Sequence, residues 1–172
     1  MGKARPHQEY QDPLKDLQPT DRKNLLKKLK KHLEEIATHI VETDCWEIDK
    51  AKSGNGTFLT VNEKDNDRVV LNFAGFIFKH HNKFRIKKES AAVAHAFFKI
   101  LGIREEKYNA SHICHNPKCV NPRHLVYEDA EYNRSRNFCC GGQGCQHEPK
   151  CICPGVRFHI IQNKKPSFCL TE

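Results

Sequence analysis

The sequence predicts an α+β fold, a small mixed domain built on an antiparallel sheet and held by metal as much as by apolar burial. Three observations carry that expectation. Residues 57–87 contain four short strand-like runs separated by Gly, Asn and Asp. Helical spacing of apolar residues flanks them at 20–42 and 90–101. The third observation is compositional: hydrophobic residues make up 38% of the 172. Counted with Gly and without Tyr the fraction is roughly 41%, against about 45–50% in ordinary domains. A thin core needs a staple. The nine cysteines cannot all pair within one chain, and residues 1–10 (MGKARPHQEY) lack the apolar run of a secretory signal. Metal is therefore expected in place of disulfides, in an intracellular and nuclear setting. Lys and Arg number 29 against 21 Asp and Glu, a formal charge of +8, which favours polyanionic partners, nucleic acid first. No apolar run of about eighteen residues exists, so a membrane span is excluded.

Residues 1–19 are polar, contain Pro6 and Pro13, show no periodicity and are expected to form a disordered arm. Residues 20–43 read as an amphipathic helix: Leu25, Leu26, Leu29, Leu33, Ile36, Ile40 and Val41 recur mostly at steps of three and four, with Thr20 or Asp21 near the N-cap. Lys27, Lys28, Lys30 and Lys31 form its solvated basic face. The remaining residues, 44–172, are expected to form one metal-bound domain. Strands are expected at 57–61, 68–73, 76–79 and 83–87. Alternation in the last puts Lys83, Arg85 and Lys87 on one face and Phe84 and Ile86 on the other. Residues 90–101 form a largely buried helix stopped by Gly102, with His95 a packed histidine rather than a ligand.

From Ser111 the chain reads SHICHNPKCVNPRHL. Cys114, Cys119 and His124 are three ligands of the type zinc prefers, on a loop punctuated by Pro117 and Pro122. A tetrahedral structural site needs a fourth. Cys139, Cys145, His147 and Cys151 make a complete set by themselves, and Gly141, Gly142 and Gly144 permit the tight loop. Cys140 is adjacent to Cys139, and spacing alone leaves either as the ligand; Cys153 and Cys169 have no assigned role.

These residues resemble the His-Cys box homing endonucleases, a zinc-bound branch of the ββα-metal (His-Me finger) nucleases. The likeness rests on SHxCHNxxCxNPxHL, a later NxxRN, and CxxxxxCxHxxxC, over about forty residues from Ser111 to Cys151. The family's first zinc takes its fourth ligand from an upstream Cys-aromatic-Glu-Ile sequence, matched here by Cys45, Trp46, Glu47 and Ile48. The resemblance thus implies a first zinc on Cys45, Cys114, Cys119 and His124. The second loop has one residue fewer between its first two cysteines than the family pattern, which favours Cys139 over Cys140.

The same resemblance implies a ββα-metal nuclease core in which His112 is the general base, since an imidazole titrating near neutrality suits deprotonation of water. It implies that Asn133, on a helix over 128–137, ligates a catalytic Mg²⁺, with Asp129 as a second ligand or an outer partner. An arginine near the scissile phosphate is assigned to Arg85, with Lys83 and Arg68 as competitors. Family members lay their sheet in the major groove of double-stranded DNA, so Lys79, Asn82, Lys83, Arg85 and Lys87 become the DNA-binding set. They cut as homodimers held partly by exchanged C-terminal tails, and 155–172 is long enough for one. The alternatives are a nonspecific nuclease and a zinc-stabilised DNA-binding module that does not cut.

Overall fold

Leu25, Leu29 and Leu33, four residues apart, fall on one side of helix α1 (Pro19–Ile36) and are buried along its length. Each is worth about 1.5–3 kcal/mol of transfer free energy. Proline at the start of α1, where its missing N–H costs nothing, and Asp21 in the first turn favour initiation there. These positions come from a computed structural model that describes residues 13–54, 56–81, 90–102, 108–139 and 145–152.

Sequence periodicity carried this helix to 43, but it stops at Ile36. The chain turns instead into β1 (Thr38–Ile40), which pairs antiparallel with β2 (Cys45–Glu47), with His39 beside Trp46 and Ile40 opposite Cys45. The β-branched residues Thr38 and Ile40 suit that pairing better than another helical turn. The expected arm also reaches into described residues. Leu14 and Leu17 are buried, and Arg22 fastens this segment by donating to the carbonyls of Leu14, Leu17 and Ile100. Ile100 belongs to the last turn of α3 (Val93–Leu101), where a cation meets orphan carbonyls favourably. Gly102 ends that helix at φ +81°, and a Cβ there would lie 2.8 Å from the Arg22 guanidinium.

The described strands form three small sheets. β3 (Leu59–Asn62), β4 (Arg68–Asn72) and β5 (Ser90–Ala92) make a three-stranded antiparallel sheet in that order. The strand expected at 76–79 is a helix, α2 (Phe73–His80). Its aromatic and β-branched content suggested a strand, but Phe73, Phe76 and Ile77 share a buried face at helical spacing. The Asn72 side chain caps it by accepting from the Gly75 N–H at 3.0 Å, and a Cβ on Gly75 would crowd both Asn72 and Phe58. The strand expected at 83–87 lies outside the described residues. Residues 90–92, expected as helix, are β5, and the helix proper begins at Val93.

The apolar core gathers Leu59, Val69 and Leu71 from the sheet, Phe73, Phe76 and Ile77 from α2, and Val93, Ala96, Phe97 and Ile100 from α3, all against α1. Trp46, Ile48 and Val120 extend it toward the cysteine-rich half. The third sheet lies there: β6 (Tyr108–His112) pairs antiparallel with β7 (Leu125–Asp129), and α4 (Ala130–Arg136) follows directly. Phe98 of α3 stacks on Tyr127 of β7, ring centres 4.8 Å apart. Among the described residues no helix is long and apolar enough to cross a membrane.

Candidate metal centres and active site

The connection between β6 and β7 carries Cys114, Cys119 and His124, and the antiparallel register of the two strands brings both ends of that loop together. Cys45 arrives from β2. It is held there by a bridge between Glu47 and Cys119, by the Val120 N–H on the Trp46 carbonyl at 2.8 Å, and by the Asn116 amide on Glu47 at 2.6 Å. The four side chains are buried, and their ligand atoms lie within 4.8 Å of one another. Cys45 Sγ and Cys119 Sγ are 3.7 and 3.5 Å from His124 Nδ1. A tetrahedral zinc with its usual bond lengths sets sulfur and nitrogen about 3.6 Å apart. The donors therefore fit zinc in both type and spacing.

The thiols give a second sign. Hydrogen bonds from Cys114 and Cys119 hold the Cys45 thiol far below its ordinary pKa, while contacts with Cys119, then Cys45, and burial drive Cys114 upward. Cys114 lowers Cys119, but Cys45 and burial outweigh it and push Cys119 up to about 12. Three sulfurs this close all become thiolates only around a cation. On the far side of the imidazole, Asp44 Oδ2 lies 3.7 Å from His124 Nε2 and accepts from Arg123 at 2.8 Å. Asn121 donates to the Asp44 carbonyl at 2.7 Å. A carboxylate behind a ligating histidine orients the ring and raises its basicity.

The second cluster is local in sequence. Cys139, Cys145, His147 and Cys151 also bring their ligand atoms within 4.8 Å, with both Cys145 and Cys151 sulfurs 3.5 Å from His147 Nδ1. Cys139 is thus among the clustered donors of the described residues; Cys140, Cys153 and Cys169 lie outside them. Burial raises the Cys145 thiol, but the backbone N–H groups of Cys151 and His147 and the His147 ring bring it down to about 6. Burial pushes Cys151 up to about 12 against the pull of Arg136. His147 Nε2 donates to Ser135 Oγ at 2.8 Å, and Ser135 donates to the Tyr132 carbonyl at 2.6 Å.

Arg136 is buried beside this cluster. Its Nε and Nη2 fork onto both oxygens of Glu128 at 2.7 and 2.9 Å, and Nη1 donates to the Pro149 carbonyl at 2.8 Å and to Cys151 Sγ at 3.3 Å. Burial works against its charge, but Glu128 and Cys151 outweigh it and keep the guanidinium protonated. The Ile152 N–H on the Ile113 carbonyl, at 2.6 Å, joins this loop to that of the first cluster.

His112 ends β6, half-buried, and its Nε2 lies 3.1 Å from the Cys119 carbonyl. A carbonyl only accepts, so in the neutral ring the proton sits on Nε2 and Nδ1 is the basic nitrogen. Asn133 is half-buried on α4 and accepts from Ser111 Oγ at 2.9 Å. The structure thus joins Asn133 to β6 one residue away from His112. Asp129 caps α4, its Oδ1 accepting from the Glu131 and Tyr132 N–H groups at 2.7 and 3.4 Å. Arg68 starts β4 with Asp65 3.6 Å away, and Lys79 lies on α2 over the Phe58 ring rather than on a strand. Asn82, Lys83, Arg85 and Lys87 fall outside the described residues.

Sequence reasoning missed Asp44, Ser135 and Arg136 as outer partners of the two clusters. Asp44 immediately precedes a ligand, and Arg136, the arginine of NxxRN, lies three residues before one; these positions were the available signals, but the contacts arise only in the folded chain. Residues 44–163 match the family model described as the zinc-binding loop region of homing endonuclease, a span that contains both ligand sets, His112 and Asn133.

Proposed function

The chain belongs to the homing-endonuclease family defined by that zinc-binding loop, and from this premise we propose that it is a magnesium-dependent endonuclease that hydrolyses phosphodiester bonds in double-stranded DNA. The observation that carries the reading is the β6–β7–α4 unit. In it, a histidine held through Nε2 by a backbone carbonyl lies one residue from a serine that touches an asparagine oxygen.

His112 Nδ1 takes the proton of the attacking water. The Cys119 carbonyl keeps the ring in the required tautomer and supports the imidazolium that results. Because Cys119 is itself a ligand, the first zinc cluster fixes the position of the base. Asn133 Oδ1 is a hard oxygen donor with two lone pairs, of which Ser111 uses one, and it suits a cation that keeps most of its waters. When bound there, Mg²⁺ supplies Lewis acidity at the phosphate and stabilises the leaving oxygen. Both zincs are structural, each closed by four protein ligands.

The net charge of +8 supports a polyanionic substrate. Arg85 is our choice for the guanidinium at the scissile phosphate, ahead of Lys83 and of Arg68, which already has Asp65 beside it. Lys79, Asn82, Lys83 and Lys87 complete the DNA-contacting set, chiefly on phosphates. Homodimerisation fits cutting of near-palindromic sites, and a nuclear setting would give access to a DNA substrate.

Supercoiled plasmid incubated with the zinc-loaded protein tests this. Nicking is expected with Mg²⁺ and not without it, and His112→Ala should reduce the rate by about 10²–10⁴-fold with DNA binding retained. Equal cutting by parent and variant removes His112 from the mechanism. Binding without any nicking favours the non-cleaving module, and cutting with no site preference favours a nonspecific nuclease.

A further inference from the structure

Helix α4 is seven residues long, too short to hold its own shape in water, so something outside it must fix the direction of Asn133. Two faces of the helix have different attachments. Asn133 meets β6 through Ser111. Tyr132, Ser135 and Arg136, spaced at i, i+3 and i+4, face the second metal cluster. The Ser135 hydroxyl lies 2.8 Å from His147 Nε2, and Arg136 reaches Cys151 Sγ at 3.3 Å. The Tyr132 hydroxyl accepts from the Glu148 N–H at 2.8 Å, and its ring meets His147 edge-on at 5.2 Å. The chain just past the helix is tied back as well, with the Cys139 N–H, three residues on, donating to the Arg136 carbonyl at 2.9 Å, so a donor of the cluster is fastened to the end of the helix. Glu128, at the end of β7, neutralises the same guanidinium from the strand side.

We propose that Ser135 and Arg136 are positioning residues that clamp α4 to the second zinc cluster and thereby set Asn133 for its metal. The inference rests on the endonuclease reading above only for its catalytic consequence. The clamp itself is a statement about zinc retention and helix order. On this assignment the two clusters have separate duties, the first setting the base through Cys119 and the second setting the metal ligand through α4. Arg136 offsets the negative charge of a three-thiolate cluster, and Ser135 fixes the tautomer of the ligating histidine, which outer partners of metal ligands commonly do.

Ser135→Ala, Ser135→Thr and Arg136→Met test the proposal, the serine variants because Ser135 is exposed and its loss should not prevent folding. Zinc release to a chromophoric chelator is followed together with deuterium uptake by the 130–136 amides and the Mg²⁺ dependence of plasmid nicking. Ser135→Ala and Arg136→Met should release one of two zincs about 10–100-fold faster and exchange faster across α4 but not α1. They should also raise the half-saturating Mg²⁺ concentration several-fold, with nicking recovered at saturating Mg²⁺. Ser135→Thr, which keeps the hydroxyl, should behave as the parent does. Parental zinc release and exchange in Ser135→Ala overturn the clamp. Faster release with an unmoved Mg²⁺ requirement overturns the link to Asn133. A parent that never nicks overturns the endonuclease reading and that link, while zinc release and exchange still decide the clamp.

Discussion

The two metal clusters share a donor set, three cysteines and a histidine, yet they are built in opposite ways. The first joins Cys45 to ligands at 114–124, across most of the apolar core, and its four side chains are 0–3% exposed. The second is drawn from residues 139–151, its cysteines are 4–8% exposed and its histidine is half-buried. A ligand set that closes a long stretch of chain removes more freedom from the unfolded state than one that closes a short loop. The first is therefore a folding device and the second a local fastening. Their outer partners differ in the same sense: a carboxylate, Asp44, backs the first histidine, while Ser135 and Arg136 from a neighbouring helix back the second.

Removing a ligand from each cluster breaks the comparison most forcefully. Structural zinc sites contribute about 10–16 kcal/mol of binding free energy, as much as a whole domain's stability of about 5–15 kcal/mol. Cys114→Ser should abolish cooperative thermal unfolding and lower zinc content. Cys145→Ser should remove one zinc while leaving a cooperative transition from the α1–α2–α3 core, seen by circular dichroism and elemental analysis. If both variants unfold alike, the division between folding device and fastening is wrong.

Asp44→Ala should have a smaller effect, releasing the first zinc about 10–100-fold faster in the chelator assay and leaving the second at its parental rate. Equal acceleration of both would mean that Asp44 acts on the fold and not on His124.

The smallest effect separates the metal-held half from the apolar half. Burial, then Arg68 and Lys99, depress the pKa of His95 on α3. The folded ring stays neutral at pH values where the unfolded ring, with an ordinary pKa of about 6.5, takes a proton. Its contribution is complete above about pH 6.5 and is lost as the pH falls from there through the folded value. Melting temperature should therefore drop less between pH 7 and pH 5 in His95→Gln than in the parent. An equal drop assigns the acid sensitivity to the metal ligands.

Most of the donor set was legible because ligand spacing is a local property of sequence. Cys114, Cys119, His124 and the complete second set stand out by residue type alone, and Cys45 became legible only through family resemblance. The core face of α1 was legible from its leucine spacing. Its end was not, because Thr38 and Ile40 satisfy either period and the pairing with β2 decides between them. The run at 76–79 misled for a similar reason: aromatic and β-branched content favours a strand, whereas the Asn72 cap and the burial of Phe73, Phe76 and Ile77 favour a helix. Sequence leaves Asp129 open as a second metal ligand or an outer partner, and in the fold its Oδ1 caps α4. Arg136 stands in the NxxRN motif, but the contacts of Asp44, Ser135 and Arg136 depend on neighbours brought close by folding, and the motif does not name them.

On the proposed mechanism His112 and Asn133 do separate work, one moving a proton and the other holding a cation. Single-turnover cleavage of plasmid by zinc-loaded parent, His112→Ala and Asn133→Ala across a Mg²⁺ titration tests it most directly. His112→Ala should be slow at every Mg²⁺ concentration with an unchanged half-saturation point, while Asn133→Ala should shift that point upward. Parental Mg²⁺ dependence in Asn133→Ala, or parental rates in His112→Ala, would contradict it.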